Sequence, residues 1–282
     1  MKNNYIRVGT TYFKKSLYPT LSGDRIEILL PWSPELIRQD HGKNALSEME
    51  TFDGFICFPE NRLEFYLKNH QGYYNTYHSL SKKPIEGDIS NTKKFIAHIF
   101  GEQTEIGFDY LQLLYLKPTQ ILPILCLVSK ERATGKSTFL KWLKEIFEFN
   151  LTYLTNDSFT SNFNADWASK LLICIDEVLF QTEVLTERIK YLSTTNINKI
   201  EAKGKDRKEI EFFGKFILCS NNETSFIKID ADEIRFWVRK IDSYEKEDVL
   251  FLSKLIKEIP AFLYFLSNRQ LSTENKSRMW FT

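Results

Sequence analysis

The sequence predicts an α/β protein whose central sheet is largely parallel. Three apolar runs, ILCLV, KLLICI and KFILCS, have the length of strands, and near-continuous apolar runs are typical of strands buried on both faces. The run TFLKWLKEIFEF lies between the first two and has the apolar spacing of an amphipathic helix. Alternation of such strands and helices is typical of a parallel sheet with helices packed on its faces.

Four regions are predicted along the chain. Residues 1–88 form a small β-rich accessory region, because the runs YIRVGTTYF, DRIEILLPW, FDGFICFP and RLEFYL have strand character and Gly and Pro separate them. Residues 89–118 have helical periodicity, which predicts a helical collar. The α/β core then occupies residues 119–243, and residues 244–282 form a C-terminal helical segment.

Charge and apolar content exclude several classes of protein. The 282 residues include 38 Lys and Arg against 37 Asp and Glu, so a net charge of +1 gives no global field for a nucleic acid, and any such site must be local. The longest apolar run, ILPILCLV, is too short to cross a bilayer, and the N-terminus has no apolar signal core. We therefore expect a cytoplasmic protein with no membrane partner.

A phosphate-binding loop is predicted where GKST follows the ILCLV strand and opens the next helix. Such a loop needs backbone amides at a helix N-terminus, a Lys for the phosphate oxygens and a hydroxyl for magnesium. The predicted contacts come from five consecutive residues: Thr134, Gly135, Lys136, Ser137 and Thr138. Lys130 stands where the strict pattern has its first glycine, and Ala133 stands where Gly is common. The alternative is a helix N-cap with a chance Lys.

Polar side chains follow the next two predicted strands. Asp176 and Glu177 end the KLLICI strand, and paired carboxylates there indicate a cation site, with Asp176 on magnesium with Ser137 and Glu177 polarising the attacking water. Asn221 follows the KFILCS strand and could orient that water, although an Asx turn is the alternative. Arg235 is the predicted arginine finger, with Arg239 as the fallback.

Together these elements resemble the superfamily 3 helicases, and specifically the primase-helicase proteins of phages and mobile elements. The resemblance rests on ATGKST, LLICIDE, IKYLSTTNINKIEAKGKDR, ILCSNN and the Glu-x-Arg-Phe of residues 233–236. It covers roughly residues 91–240, and the family often has two adjacent Arg where this chain has Ile234 and Arg235. It implies an AAA+ type P-loop NTPase core that acts as a hexameric ring.

The same resemblance implies a DNA-gripping hairpin between the carboxylate pair and the following strand. Lys190, Lys203 and Lys205 match the family pattern there. From the residues alone, KGKDRK is a basic turn around Gly204, for which a solvated hairpin tip is the alternative. Six copies of such a loop in one pore would supply the local cations that the net charge does not.

The predicted function is therefore that of an ATP-dependent and magnesium-dependent DNA helicase in the replication of a phage, plasmid or mobile element. The implied partners are single-stranded or forked DNA, further copies of the chain and a primase or polymerase, with 3′ to 5′ movement. Two alternatives remain: an AAA+ ATPase that loads or remodels replication proteins, and a non-catalytic DNA-binding scaffold. The final residues SRMWFT contain no stop signal, which leaves open whether the chain is part of a longer protein.

Overall fold

Two compact units make up the protein in a computed structural model. The structure describes residues 4–19, 25–161, 163–178, 182–201, 207–227, 232–243 and 248–281. The first unit comprises Met1–Phe58 and Leu67–Tyr77, and the second comprises Pro59–Tyr66 and His78–Thr282. Within the described residues, no helix is long and apolar enough to cross a membrane.

The described residues of the first unit form two small sheets, one α-helix and a short 3-10 helix. Its elements are β1 (Tyr5–Val8), β2 (Thr11–Pro19), β3 (Arg25–Trp32), α1 (Pro34–His41), β4 (Glu50–Phe52), β5 (Phe55–Ile56), β6 (Asn69–His70) and β7 (Tyr73–Asn75). The sheets have the orders β3-β2-β1-β4 and β5-β7-β6. Ile6, Val8, Phe52 and Tyr74 form the core between them, so the strand alternation of YIRV and its neighbours is confirmed.

One predicted strand of this region is wrong, because the run RLEFYL forms a turn in the second unit. The amides of Phe65 and Tyr66 both donate to the Arg62 carbonyl at 3.1 Å. The neighbouring Asn61 side chain is buried and donates to the carbonyls of Leu114 and Tyr115 at 3.0 Å. The alternation of apolar residues is typical of a strand, but the segment forms a turn. The adjacent Asn61 donates to carbonyls at the end of the helix Thr104–Leu116.

The second unit has six helices and seven strands among its described residues. In chain order they are α2 (Ser90–Phe100), α3 (Thr104–Leu116), β8 (Ile124–Val128), α4 (Lys136–Phe147), β9 (Leu151–Leu154), α5 (Asn156–Thr160), β10 (Leu172–Ile175), α6 (Glu183–Thr194), β11 (Ile197–Ile200), β12 (Lys208–Glu211), β13 (Lys215–Ser220), β14 (Phe236–Lys240) and α7 (Phe251–Asn268). The predicted strands ILCLV, KLLICI and KFILCS are β8, β10 and β13, and the predicted helices are present.

A five-stranded parallel sheet with the order β14-β8-β13-β10-β9 lies at the centre of this unit. Every residue of β8, β10 and β13 is buried, as the apolar runs predict for strands covered on both faces. The α/β class with a parallel sheet is therefore confirmed. Because the strands are parallel, the residues that follow β8, β13 and β10 emerge at one edge of the sheet.

The helical collar is joined to α7 by a half-buried carboxylate. Glu258 of α7 accepts from the backbone amide of Asn91 at 3.2 Å and from that of Thr92 at 2.7 Å. Residue Ile89 at the N-cap of α2 provides no side-chain cap, so Glu258 satisfies amides that the first turn leaves without intrahelical partners. The start of α2 therefore depends on a helix distant in sequence.

Lys215 is a buried cation at the start of β13. Its ammonium donates to the carbonyl of Phe213 at 2.6 Å and to that of Pro118. Burial lowers the pKa of Lys215 to about 7. Between that value and the ordinary lysine value of 10.5, the folded protein binds fewer protons at this group than the unfolded chain does.

We predict that the free energy of unfolding of the wild type rises relative to that of Lys215→Met as pH increases above about 7. The physical reason is that the cost of burying the charge disappears once Lys215 is neutral. The slope is at most about 1.4 kcal/mol per pH unit. Urea unfolding at several pH values measures it, with the exposed Lys199→Met as the control. If the difference in free energy of unfolding between the wild type and Lys215→Met did not change with pH, Lys215 would not have a lowered pKa.

Candidate nucleotide-binding site

The loop between β8 and α4 has the backbone of an anion-binding turn. Ala133 has φ of 55° and Gly135 has φ of 89°, so both adopt the left-handed conformation. Such turns direct successive backbone amides inward. At Ala133 the conformation costs roughly 1 kcal/mol or more, because this residue has a Cβ atom where the sequence pattern often has glycine. The departure from the strict motif is therefore accommodated as local strain.

Lys136 opens α4 and lies inside the loop. Only 8% of the residue is exposed, and its ammonium donates to the Ser129 hydroxyl and, at 3.2 Å, to the Thr134 hydroxyl. Burial lowers the pKa of Lys136, while the nearby carboxylate of Asp176 acts in the opposite direction. The ammonium therefore lies among the loop hydroxyls and has lost part of its hydration. A bound anion would offset the free-energy cost of that lost hydration.

The collar helix α2 supports this loop from outside the sheet. His98 donates from Nε2 to the Thr134 carbonyl at 3.0 Å. A Cβ atom on Gly135 would lie 3.2 Å from the Phe95 ring, so α2 packs directly against the glycine that begins the helix. The conformation of the loop thus depends on residues well outside the sequence motif.

The carboxylates that follow β10 face the start of α4. The Ser137 hydroxyl donates to Asp176 Oδ2 at 3.3 Å, so the residues predicted to share a metal ion are in contact. The amide of Glu177 donates to Asp176 Oδ1 at 3.1 Å. Glu177 has φ of 57°, a second strained non-glycine residue, and its carbonyl accepts from Asn156 Nδ2 at 3.2 Å. Both carboxylates are exposed at the edge of the sheet.

Ser220, the last residue of β13, joins the other two strand ends. The amide of Ser129 donates to the Ser220 carbonyl at 3.2 Å, and the Ser220 hydroxyl donates to the Val178 carbonyl at 3.1 Å. Asn221 follows and is exposed. The Asx turn considered for Asn221 is formed by Asn222, whose Oδ1 accepts from the amides of Thr224 and Ser225 at 3.1 and 2.9 Å.

Sequence reasoning did not identify Glu223 and Lys240, which join the loop to two other strand ends. Glu223 accepts from the backbone amide of Lys130 at 3.0 Å and from the ammonium of Lys240 at 3.2 Å. Desolvation raises the pKa of Glu223, but the hydrogen bonds from Lys240 and the Lys130 amide outweigh it and hold that pKa below its ordinary value. Their positions in the sequence could have indicated this role, because Glu223 closely follows β13 and Lys240 is the last residue of β14.

The two candidate arginines lie at opposite ends of β14. Arg235 pairs with Glu233 at 3.2 Å, and its carbonyl accepts from the amide of Ile124, the first residue of β8. The loop follows the last residue of β8, so about 13 Å of strand separates Arg235 from it. Arg239 lies beside the last residues of β8 and donates to Gln103 Oε1 at 3.1 Å.

The predicted DNA-contacting lysines fall in different places. Lys190 is a buried residue of α6, and its ammonium lies 2.8 Å from Glu187 and 3.4 Å from Glu233. An antiparallel pair, β11 with β12, flanks the basic turn, as expected for a hairpin. Lys203 and Lys205 lie outside the described residues. The structure thus describes the base of the hairpin but leaves the assignment of its lysines as a prediction.

Among the comparisons with known proteins, the solved structures bear on the fold. A family described as a family of unknown function (DUF5906) matches residues 127–239. No curated protein matches the chain. Two apo structures of the NrS-1 C-terminal region are similar, with TM-scores of 0.71 and 0.72 at 17% and 18% identity, and each alignment covers 95% of this chain and 67% of that chain. At this identity the likeness establishes the fold alone, and the chain spans about two thirds of those structures.

The structure of JCV helicase bound to a small molecule is a more distant match. Its TM-score is 0.40 at 13% identity, and the alignment covers 65% of this chain and 56% of that chain. The similarity is too low to bear on the site.

We predict that Glu223→Ala increases hydrogen exchange at the Lys130 amide by roughly tenfold, because the amide loses a charged acceptor. Glu223→Gln retains an acceptor oxygen and should have a smaller effect. Exchange measured by mass spectrometry on peptides covering residues 129–135 tests this, with the exposed Glu209→Ala as the control. Equal exchange in all variants would mean that Glu223 does not hold the loop.

Proposed function

We propose that this chain is an ATP-driven DNA helicase of the superfamily 3 type, with an AAA+ type core that works as a hexameric ring on single-stranded DNA. The observation that carries the proposal is the convergence of Lys136, Ser137 and Asp176 at the carboxyl edge of a parallel sheet. Two motifs that the sequence identified separately, the loop and the carboxylate pair, meet there, with Ser137 hydrogen-bonded to Asp176. That arrangement suits a nucleoside triphosphate with a divalent cation.

The loop would hold the phosphate groups of ATP. Backbone amides between Ala133 and Lys136 would donate to the phosphate oxygens, and the helix dipole of α4 favours the same anion. The ammonium of Lys136 would exchange its hydroxyl partners, Ser129 and Thr134, for phosphate oxygens. That exchange is favourable because a charged acceptor replaces neutral ones. The ammonium has already lost part of its hydration, so binding costs it little further water.

Ser137 and Asp176 fit a magnesium ion. Both supply hard oxygen donors, which Mg²⁺ prefers, and they lie close enough to share one ion or its waters. When bound, magnesium would neutralise charge on the transferred phosphoryl group. Glu177 would accept the proton of the attacking water, and the exposed amide of Asn221 would orient that water.

A ring explains the position of Arg235. The strand β8 separates this residue from the loop of its own chain, so Arg235 would serve the nucleotide of a neighbouring copy. Arg239 is nearer its own loop but is already bonded to Gln103. We therefore assign the finger to Arg235 and its orientation to Glu233.

DNA contact is assigned to Lys203 and Lys205 at the turn between β11 and β12. A hairpin that projects from each copy would place these cations around one strand of DNA. Contact by Lys190 stays a prediction that requires its ion pairs with Glu187 and Glu233 to open. A primase or polymerase partner also stays a prediction.

We predict that Glu177→Gln binds ATP with magnesium but hydrolyses it at least about 100-fold more slowly, because only the proton acceptor is lost. Asp176→Asn should instead weaken magnesium-dependent binding. Nucleotide titration and phosphate release measure the two effects, with Lys136→Ala as the inactive reference and Lys141→Ala, an exposed residue of the same helix, as the active one. Identical defects in the two acid variants would refute the division of roles.

We predict that Lys203→Ala combined with Lys205→Ala removes the stimulation of ATPase activity by single-stranded DNA and leaves basal hydrolysis intact. Each lost phosphate contact should reduce the salt dependence of DNA binding by about 0.7 in log–log slope. Fluorescence anisotropy at several salt concentrations measures the slope, with Lys141→Ala as the control. Unchanged affinity and slope would favour an AAA+ ATPase that remodels proteins.

A further inference from the structure

The first unit has an open sheet face with an unusual distribution of side chains. Strand alternation places one set of residues on the side of β1, β2 and β3 that faces away from the core of the unit, a surface termed here the outer face. It is made up of Arg7, Tyr12, Lys14, Ser16, Tyr18, Ile28, Leu30 and Trp32. The opposite side carries Ile6, Val8, Phe13 and Leu29, which belong to the core.

Aromatic and cationic groups occupy neighbouring positions on the outer face. Arg7, Tyr12 and Trp32 form one row across the three strands. In the next row the ammonium of Lys14 lies 4.6 Å from the centre of the Trp32 ring. Tyr18 lies six residues along β2 from Tyr12 and is 56% exposed, so the surface is about 20 Å long.

The described acids of these strands lie on the opposite side. Glu27 is opposite Leu17 and accepts from the Tyr74 hydroxyl at 2.8 Å, and Glu50 is opposite Ile6 and pairs with Lys15 at 3.6 Å. Their charges are therefore matched by cations away from the outer face. The helix α1 contacts the sheet at Tyr5, whose ring centre lies 5.3 Å from that of His41.

We propose that the outer face binds single-stranded nucleic acid. The exposed ring of Tyr18 and the half-buried rings of Tyr12 and Trp32 provide stacking surfaces for bases, and Arg7 and Lys14 supply cations for the phosphates between them. The cations lie on the outer face, and the acids Glu27 and Glu50 lie on the opposite side of the sheet. An apolar protein partner would not require this distribution of charge. The site belongs to the first unit alone and does not depend on ATP hydrolysis.

Binding of a fluorescein-labelled thymidine homopolymer to the full chain tests this proposal. All variants carry Lys203→Ala and Lys205→Ala, so that the outer face is measured without the hairpin and its failure is distinguishable from failure of the helicase proposal. Arg7→Ala with Lys14→Ala should weaken binding and reduce the log–log salt slope by about 1.4, or about 0.7 per phosphate. Lys15→Ala, one residue along the same strand but on the opposite side, should leave the slope unchanged.

Stacking is tested separately at Tyr18. Tyr18→Leu, which keeps an apolar side chain, should weaken binding roughly fivefold or more, whereas Tyr18→Phe should retain it because the ring is preserved. Thermal unfolding of each variant establishes that the fold is intact. Two results would overturn the proposal and leave a protein partner for this face. One is equal affinity and equal salt slope for the Arg7→Ala, Lys14→Ala double variant and for Lys15→Ala. The other is equal affinity for Tyr18→Leu and Tyr18→Phe.

Discussion

Parallel pairing of β8, β13 and β10 places the ends of three buried strands at one edge of the sheet, and the candidate site depends on that constraint. Lys136, Asp176 and Asn221 are far apart in the chain, yet each follows a strand whose neighbours run in the same direction. Ser220 makes the pairing rigid at the edge itself, because it bonds to Ser129 on one side and to Val178 on the other. A shift in any strand would separate the side chains that meet at this edge.

Local strain marks both halves of the site. Ala133 in the loop and Glu177 after β10 are non-glycine residues in the left-handed conformation. Such residues persist only where the surrounding structure holds them. Around the loop, the Lys130 amide bonds to Glu223; at the carboxylates, Asn156 bonds to the Glu177 carbonyl. Strain is therefore present both in the loop and at the carboxylates of the candidate site.

The collar helix α2 contacts the loop of the candidate site directly. Phe95 and His98 contact the loop, and the first turn of their helix is completed by Glu258 from α7. The loop thus connects through α2 to a helix near the end of the chain. This chain of contacts links the C-terminal helix α7 to the loop of the candidate site.

The sequence by itself determined the class of the fold, the positions of the three central sheet strands β8, β10 and β13, and the side chains that the loop offers, since strand burial and helix periodicity are local properties. It also identified Ser137 and Asp176 as partners. The outer strands β9 and β14 were not predicted. Only the tertiary structure decided that RLEFYL is a turn, that Glu223 and Lys240 hold the loop, that Lys190 is paired with acids and that the described acids of β1 to β4 lie on one side of their sheet. These features depend on which residues meet across long separations in the chain, and local spacing contains no information about such meetings. Pairing energies of this kind arise only when the sheet and its helices are assembled.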